Sequence, residues 1–142
     1  MENRGESSGP APPKPWTPQE EVALAQSFLF ISEDGEVGNN QRHQEFWERI
    51  REDFSQHVGG SDRTAHQINS KWRDLYAKVS LFYGLYNTNW NNRGSAQSEL
   101  GVMNVTHEQF KAANFDKPFT HQNVWDTIKG HPRWATIFKE QV

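Results

Sequence analysis

The chain has no cysteine in its 142 residues, so no disulfide can staple it and no zinc finger built on thiolates can form. Apolar residues are scarce at 34%, yet nine Phe, six Trp and three Tyr make the expected core an aromatic one. No apolar run approaches the roughly 18 residues of a membrane span, and no signal-peptide pattern opens the chain. These absences indicate a soluble, intracellular protein with no membrane partner. A positive excess is missing too. Fifteen Lys and Arg stand against eighteen Asp and Glu, which argues against a generally basic nucleic-acid binder. The six His (His43, His57, His66, His107, His121, His131) offer no pair at ligand spacing with a third nearby, so no metal is expected. No nucleophile elbow, Gly-rich phosphate loop or paired acid is visible. An enzyme, a cofactor and a small-molecule substrate are therefore not expected.

What is present is organised around Arg63 to Tyr86, RTAHQINSKWRDLYAKVSLFYGLY. Ile68, Trp72, Leu75, Val79 and Phe82 recur at steps of four, three, four and three, the one-sided stripe of a long amphipathic helix. At 100° per residue these five fall within about 40° of Ile68, while His66, Asn69, Ser70 and Arg73 lie on the opposite face. Thr64 is its N-cap candidate. One face is core; the other carries hydrogen-bonding groups and a cation. Charge is unevenly spread. From Thr17 to His57 nine acids face three Arg, whereas Val58 to Lys78 holds four bases (Arg63, Lys71, Arg73, Lys78) against Asp62 and Asp74. Such a mild basic patch supports weak phosphate attraction.

Met1 to Pro15 is rich in Pro, Gly and Ser without apolar periodicity, which predicts a disordered tail. Structure should begin at Trp16, with Thr17 as N-cap, Pro18 at the first helical position and Glu20 closing a capping box. This helix should reach about Ser32, with Val22, Ala25, Phe28 and Leu29 inward. Glu33 to Asn40 reads as a loop. A second helix is expected from about Gln41 to His57, carried by Phe46, Trp47, Ile50 and Phe54 and ended by Gly59-Gly60. After the central helix, Asn87 to Gly94 reads as an Asn-rich loop. Ser95 to Met103 and Thr106 to Asn114 read as two helices, and Lys117-Pro118 as a break. Thr120 to Lys129 reads as the final helix, with Val124, Trp125 and Ile128 inward. Trp134 then plugs the fold, and 139–142 form a tail. No alternation is long enough for a sheet, so the class is all-α.

Each of the first three segments supplies one tryptophan, Trp16, Trp47 and Trp72, enough to pack a small three-helix core. WTPQEE at 16–21, EFWERI at 45–50 and RTAHQINSKW at 63–72 together resemble the Myb/SANT family. The 30 residues between Trp16 and Trp47 and the 24 between Trp47 and Trp72 exceed the spacing of a standard Myb repeat. That lengthening is similar to the plant trihelix branch. SEDGEVGNNQ at 32–41 and KPFTHQNVWDTIKGHPRW at 117–134 resemble the Myb/SANT-like group of Harbinger-transposon-associated proteins. The resemblance implies a three-helix bundle at 16–86 with a long third helix, a C-terminal helical extension over 95–138, and double-stranded DNA as partner. It also implies a nuclear setting, in transcriptional regulation or as a transposon-derived binding protein.

Matched on RTAHQINSKW, the family's base-reading positions fall on Asn69, Ser70 and Arg73, the outward residues of the wheel. A Myb repeat commonly has Lys, Asn and Asn there, so the bases read do not transfer. Arg73 could fork onto guanine and Asn69 onto adenine. Lys71 and Lys78 suit phosphate, although Lys71 could lay its stem along the core. Arg63 could meet phosphate at the helix start or pair with Asp62, and His66 sits on the same face. Each has a plainer alternative as a solvated side chain. Phe82, Tyr83 and Tyr86 could stack bases but sit where core aromatics sit. The rival function is a SANT-type protein-interaction module in a chromatin or transposase-related complex, favoured by the net charge of −3. Its protein partner would use the acidic helices or the C-terminal extension, and a helper bridging DNA and protein combines both readings.

Overall fold

The computed structural model describes residues 14–33 and 42–141. Among them are six helices and no strand: α1 (Pro18–Ser32), α2 (His43–His57), α3 (Ala65–Asn91), α4 (Glu99–Ala113), α5 (Gln122–Ile128) and α6 (Pro132–Gln141). The fold is all-α, as expected. The expected loop after Glu33, the first residues of the tail and the start of helix two at Gln41 lie outside the described residues.

The local start signals work as written. Thr17 Oγ1 accepts from the Glu20 amide at 3.1 Å while Thr17 N donates to Glu20 Oε1 at 3.0 Å, closing the capping box of α1. Thr64 and Gln67 repeat the device at α3. Gly59 and Gly60, at φ 78° and 111°, end α2 with backbone angles that side chains resist, and Gly60 N donates to Ser55 O. The α3 stripe is buried throughout, Ile68, Leu75 and Phe82 completely.

α1 differs from expectation. Val22 and Phe28, expected inward, are only partly buried, whereas Ala23, Leu24, Ser27 and Ile31 are fully so. The reason is its position: α2 packs on one side and α5 on another, so burial spreads around the helix. Phe28 still stacks on Trp72, centroids 4.4 Å apart.

Beyond Tyr86 three expectations are corrected. The Asn-rich stretch 87–94 is helical as far as Asn91, because Asn89 Nδ2 donates to Thr106 Oγ1 and Gln109 Oε1 on the antiparallel α4, and Trp90 stacks on Tyr86. Tertiary bonds here override weak helix propensity. The two short helices are one, α4, capped by Ser98, with Thr106 bonding back to the Val102 carbonyl. Nor is Thr120–Lys129 the last helix. Only Gln122–Ile128 is helical there, and Trp134 is fully buried as part of α6, which runs through the expected tail to Gln141.

Between α4 and α5 the chain turns at Phe115 and Asp116, both at positive φ (54° and 62°). Asp116 N donates to Lys111 O and Asn114 Nδ2 to Lys117 O, which hold the turn. Phe119 follows, stacked on Phe82 at 4.2 Å. Phe82 also meets Trp125 edge-on at 5.1 Å, and Tyr83 meets Trp134 at 5.7 Å. The aromatic core therefore runs unbroken from the three-helix bundle into the extension.

Candidate nucleic-acid interface

Seven side chains were candidates for DNA contact, and the fold divides them. Arg63 turns inward. Its guanidinium donates to both Glu20 oxygens (2.9 and 3.1 Å) and to the carbonyls of Lys14 and Pro15, and lies 4.1 Å above the Trp16 ring. It is buried and does not pair with Asp62, which pairs with Lys14 instead. Lys71 also turns inward, its ammonium 2.9 Å from Glu21 Oε2 and 5.7 Å from the Trp16 ring. Both inward orientations have one cause. The mouth of α1 presents two carboxylates, Glu20 and Glu21, toward the start of α3, and buried carboxylates require cations.

Glu21 is shared. Its other oxygen lies 2.9 Å from His121 Nδ1, just before α5, so one carboxylate ties α1, α3 and the extension together. Burial pushes the Glu21 carboxyl up, but the His121 and Lys71 bonds outweigh it and hold it below its ordinary value. Glu20 is held low mainly by the Arg63 bond, against burial. Sequence reasoning missed Glu20, Glu21 and His121 as partners. Only the T-x-x-E box marked Glu20, and nothing local linked it to a residue 43 positions away.

The remaining candidates face out. His66, Ser70 and Arg73 are exposed on α3, and Arg73 has no ion-pair partner among the described residues. Asn69 is half-buried, its Nδ2 3.4 Å from His43 Nε2. The amide donates when the imidazole presents its lone pair there. Asn69 and Arg73 border a cleft of about 440 Å³ floored by Phe28, Phe46, Trp47 and Trp72. Lys78 is half-exposed and pairs with Asp74 at 3.2 Å, one turn back along the helix. Of the three tryptophans, Trp47 and Trp72 are buried and Trp16 packs on Phe54 at 5.4 Å. Phe82 is wholly core. Among the described residues no group of His, Asp and Glu could hold a metal ion, and no helix is long and apolar enough to cross a membrane.

A helix held rigidly on its inner face, presenting amide, hydroxyl and guanidinium outward, suits a groove lined with base edges. The family model of the Myb/SANT-like DNA-binding domain matches residues 16–80, which spans α1, α2 and the first half of α3. Over residues 16–80 the chain is thus similar to the Myb/SANT-like DNA-binding domain. The matched region ends two residues before Phe82, so this domain holds all the outward candidates, while α4, α5 and α6 lie beyond it. Two proteins of Arabidopsis thaliana are similar over most of the chain. One, named glutathione S-transferase T3, is 27% identical over 126 residues, which is 87% of this chain and 21% of that protein. The other, named glutathione S-transferase T2, is 25% identical over 131 residues, 89% of this chain and 22% of that protein. The chain thus spans about a fifth of the length of these curated relatives. No solved structure matches it.

Proposed function

We propose that this protein binds double-stranded DNA sequence-specifically, laying the outward face of α3 in the major groove. The observation that carries the reading is the exposed Arg73, without an ion-pair partner among the described residues, beside Asn69 and Ser70 within the Myb/SANT-like region. Arg73 would fork onto guanine O6 and N7, Asn69 would pair with adenine, and Lys78 would shift from Asp74 to a phosphate. Arg63 and Lys71 position the reading helix from behind. The setting we infer is the nucleus, as a transcriptional regulator or a transposon-derived protein of the trihelix type. We take the activity to be binding rather than catalysis. The enzymatic name of the two relatives belongs, on this reading, to the four-fifths of their length outside the match.

With Arg63 and Lys71 committed inward, few cations remain for phosphate. That favours, as second reading, a SANT-type module whose α3 face or extension meets a protein. Selection from randomised duplexes with the full chain separates the two. An enriched motif, lost or relaxed in Asn69→Ala and Arg73→Ala, is expected for base readout. If about two cations contact phosphate, the slope of log affinity against log salt is shallow, near −2. No enrichment at low salt, with α3-dependent retention in a nuclear pull-down, would overturn the DNA reading in favour of the protein one.

A further inference from the structure

The turn between α4 and α5 displays Phe115 at 90% exposure, the most exposed large apolar side chain described. Two consecutive non-glycine residues at positive φ are uncommon, and here Lys111, Asn114 and Lys117 hold them by hydrogen bonds. A rigid backbone spends its conformational strain on holding a phenyl ring in water, which marks the ring as an anchor. Lys111 and Lys117 flank it, both exposed and neither with an ion-pair partner among the described residues; Asp116 between them is exposed too. The knob is thus apolar at its tip with a net positive collar.

A groove of about 800 Å³ lies on the same chain, between α1, the end of α2 and α5. Val22, Ala23 and Val58 give it an apolar floor, Glu20 and Asp126 are its acids, and among the described residues no Lys or Arg lines it. Glu20 is already held by Arg63, whereas Asp126 is exposed and meets Lys129 at 3.6 Å and Gln122 Nε2 at 3.4 Å, both at the ends of its own helix. Knob and groove complement each other in apolarity and in charge. In sequence the turn leads through Phe119 into α5, whose Asn123, Asp126 and Thr127 wall the groove.

We propose that the protein self-associates by inserting Phe115 of one copy into the α1–α2–α5 groove of a second. A knob and a groove on the same chain allow a two-fold arrangement in which each copy fills the other's groove, a closed, self-complementary interface. Lys111 and Lys117 then meet Asp126 of the partner copy. The assembly would also double the few outward cations of α3, supplying through two copies the phosphate contacts that one copy lacks. The self-association does not rest on the DNA reading, and its test uses no DNA.

Sedimentation of the full chain across the micromolar to millimolar range is the measurement, with circular dichroism confirming that each variant folds. A concentration-dependent dimer is expected, with the dissociation constant raised about 30-fold or more by Phe115→Ala, as for a buried aromatic anchor. Charge reversal supplies a second arm. Lys111→Glu/Lys117→Glu and Asp126→Lys should each weaken association alone. Mixing the two should restore it, since both knob-groove contacts of the mixed pair are then complementary. A wild-type chain that stays monomeric, a dimer indifferent to Phe115→Ala, or a mixture no tighter than its components would each overturn the proposal. Duplex selection run in parallel reports separately on α3.

Discussion

Replacing Arg63 by Ala tests the division between inward and outward cations most directly. The side chain makes two bonds to Glu20 and two to main-chain carbonyls, and covers the Trp16 ring. Removing one partner of a buried pair costs about 3–5 kcal/mol because the other charge is stranded. Glu20 keeps 20% side-chain exposure and its bond from Thr17 N, so water and the cap compensate in part, which points to the low end. The lost cation–π contact adds about 1 kcal/mol, and the overlapping carbonyl bonds are not counted again. The expected destabilisation is about 3 kcal/mol, a fall in Tm of about 10 °C for a chain of this size. Urea and thermal unfolding, followed by far-UV circular dichroism and tryptophan fluorescence, give the number. Arg73→Ala is the control and should stay within about 0.5 kcal/mol. On any duplex that the protein binds, Arg63→Ala should leave the salt slope unchanged, whereas loss of a phosphate-contacting Lys78 lowers it by about 0.9. An Arg63→Ala variant of wild-type stability with a reduced salt slope would refute the inward assignment.

Two further outcomes follow from the same geometry. Glu21 is held below its ordinary value of 4.5, so below that pH the unfolded chain binds more protons than the folded one. Its contribution is therefore complete above pH 4.5 and is lost as the pH falls through the folded value. Glu21→Gln should cost about 1–3 kcal/mol at pH 7 and flatten the loss of stability between pH 5 and 3.5, read as urea midpoints; parallel curves for both proteins would contradict the clasp. Trp134→Ala empties a fully buried site and should cost about 3–5 kcal/mol, with fluorescence and circular dichroism transitions remaining coincident. A variant whose bundle melts as before while only α6 is lost would show the extension to be a separate unit.

Much of the molecule was legible in its sequence because the signals were local. The stripe Ile68–Trp72–Leu75–Val79–Phe82 is buried as its spacing required, and the Thr17 and Thr64 caps form with their Glu20 and Gln67 partners. Periodicity and capping depend on residues three or four apart, which share a helix face whatever the rest of the chain does. The outward positions of His66, Ser70 and Arg73 follow from the same rule. What tertiary structure alone decided was long-range. Asn87–Asn91 is helical because Asn89 finds Thr106 and Gln109, 17 and 20 residues on. Arg63 belongs to Glu20 rather than to its neighbour Asp62, and Glu21 draws in Lys71 and His121, the latter 100 residues away. A charge near a helix start reads identically whether it meets solvent, phosphate or a buried carboxylate. Only the packing of α1 against α3 and α5 removes the water that would have left Arg63 and Lys71 free.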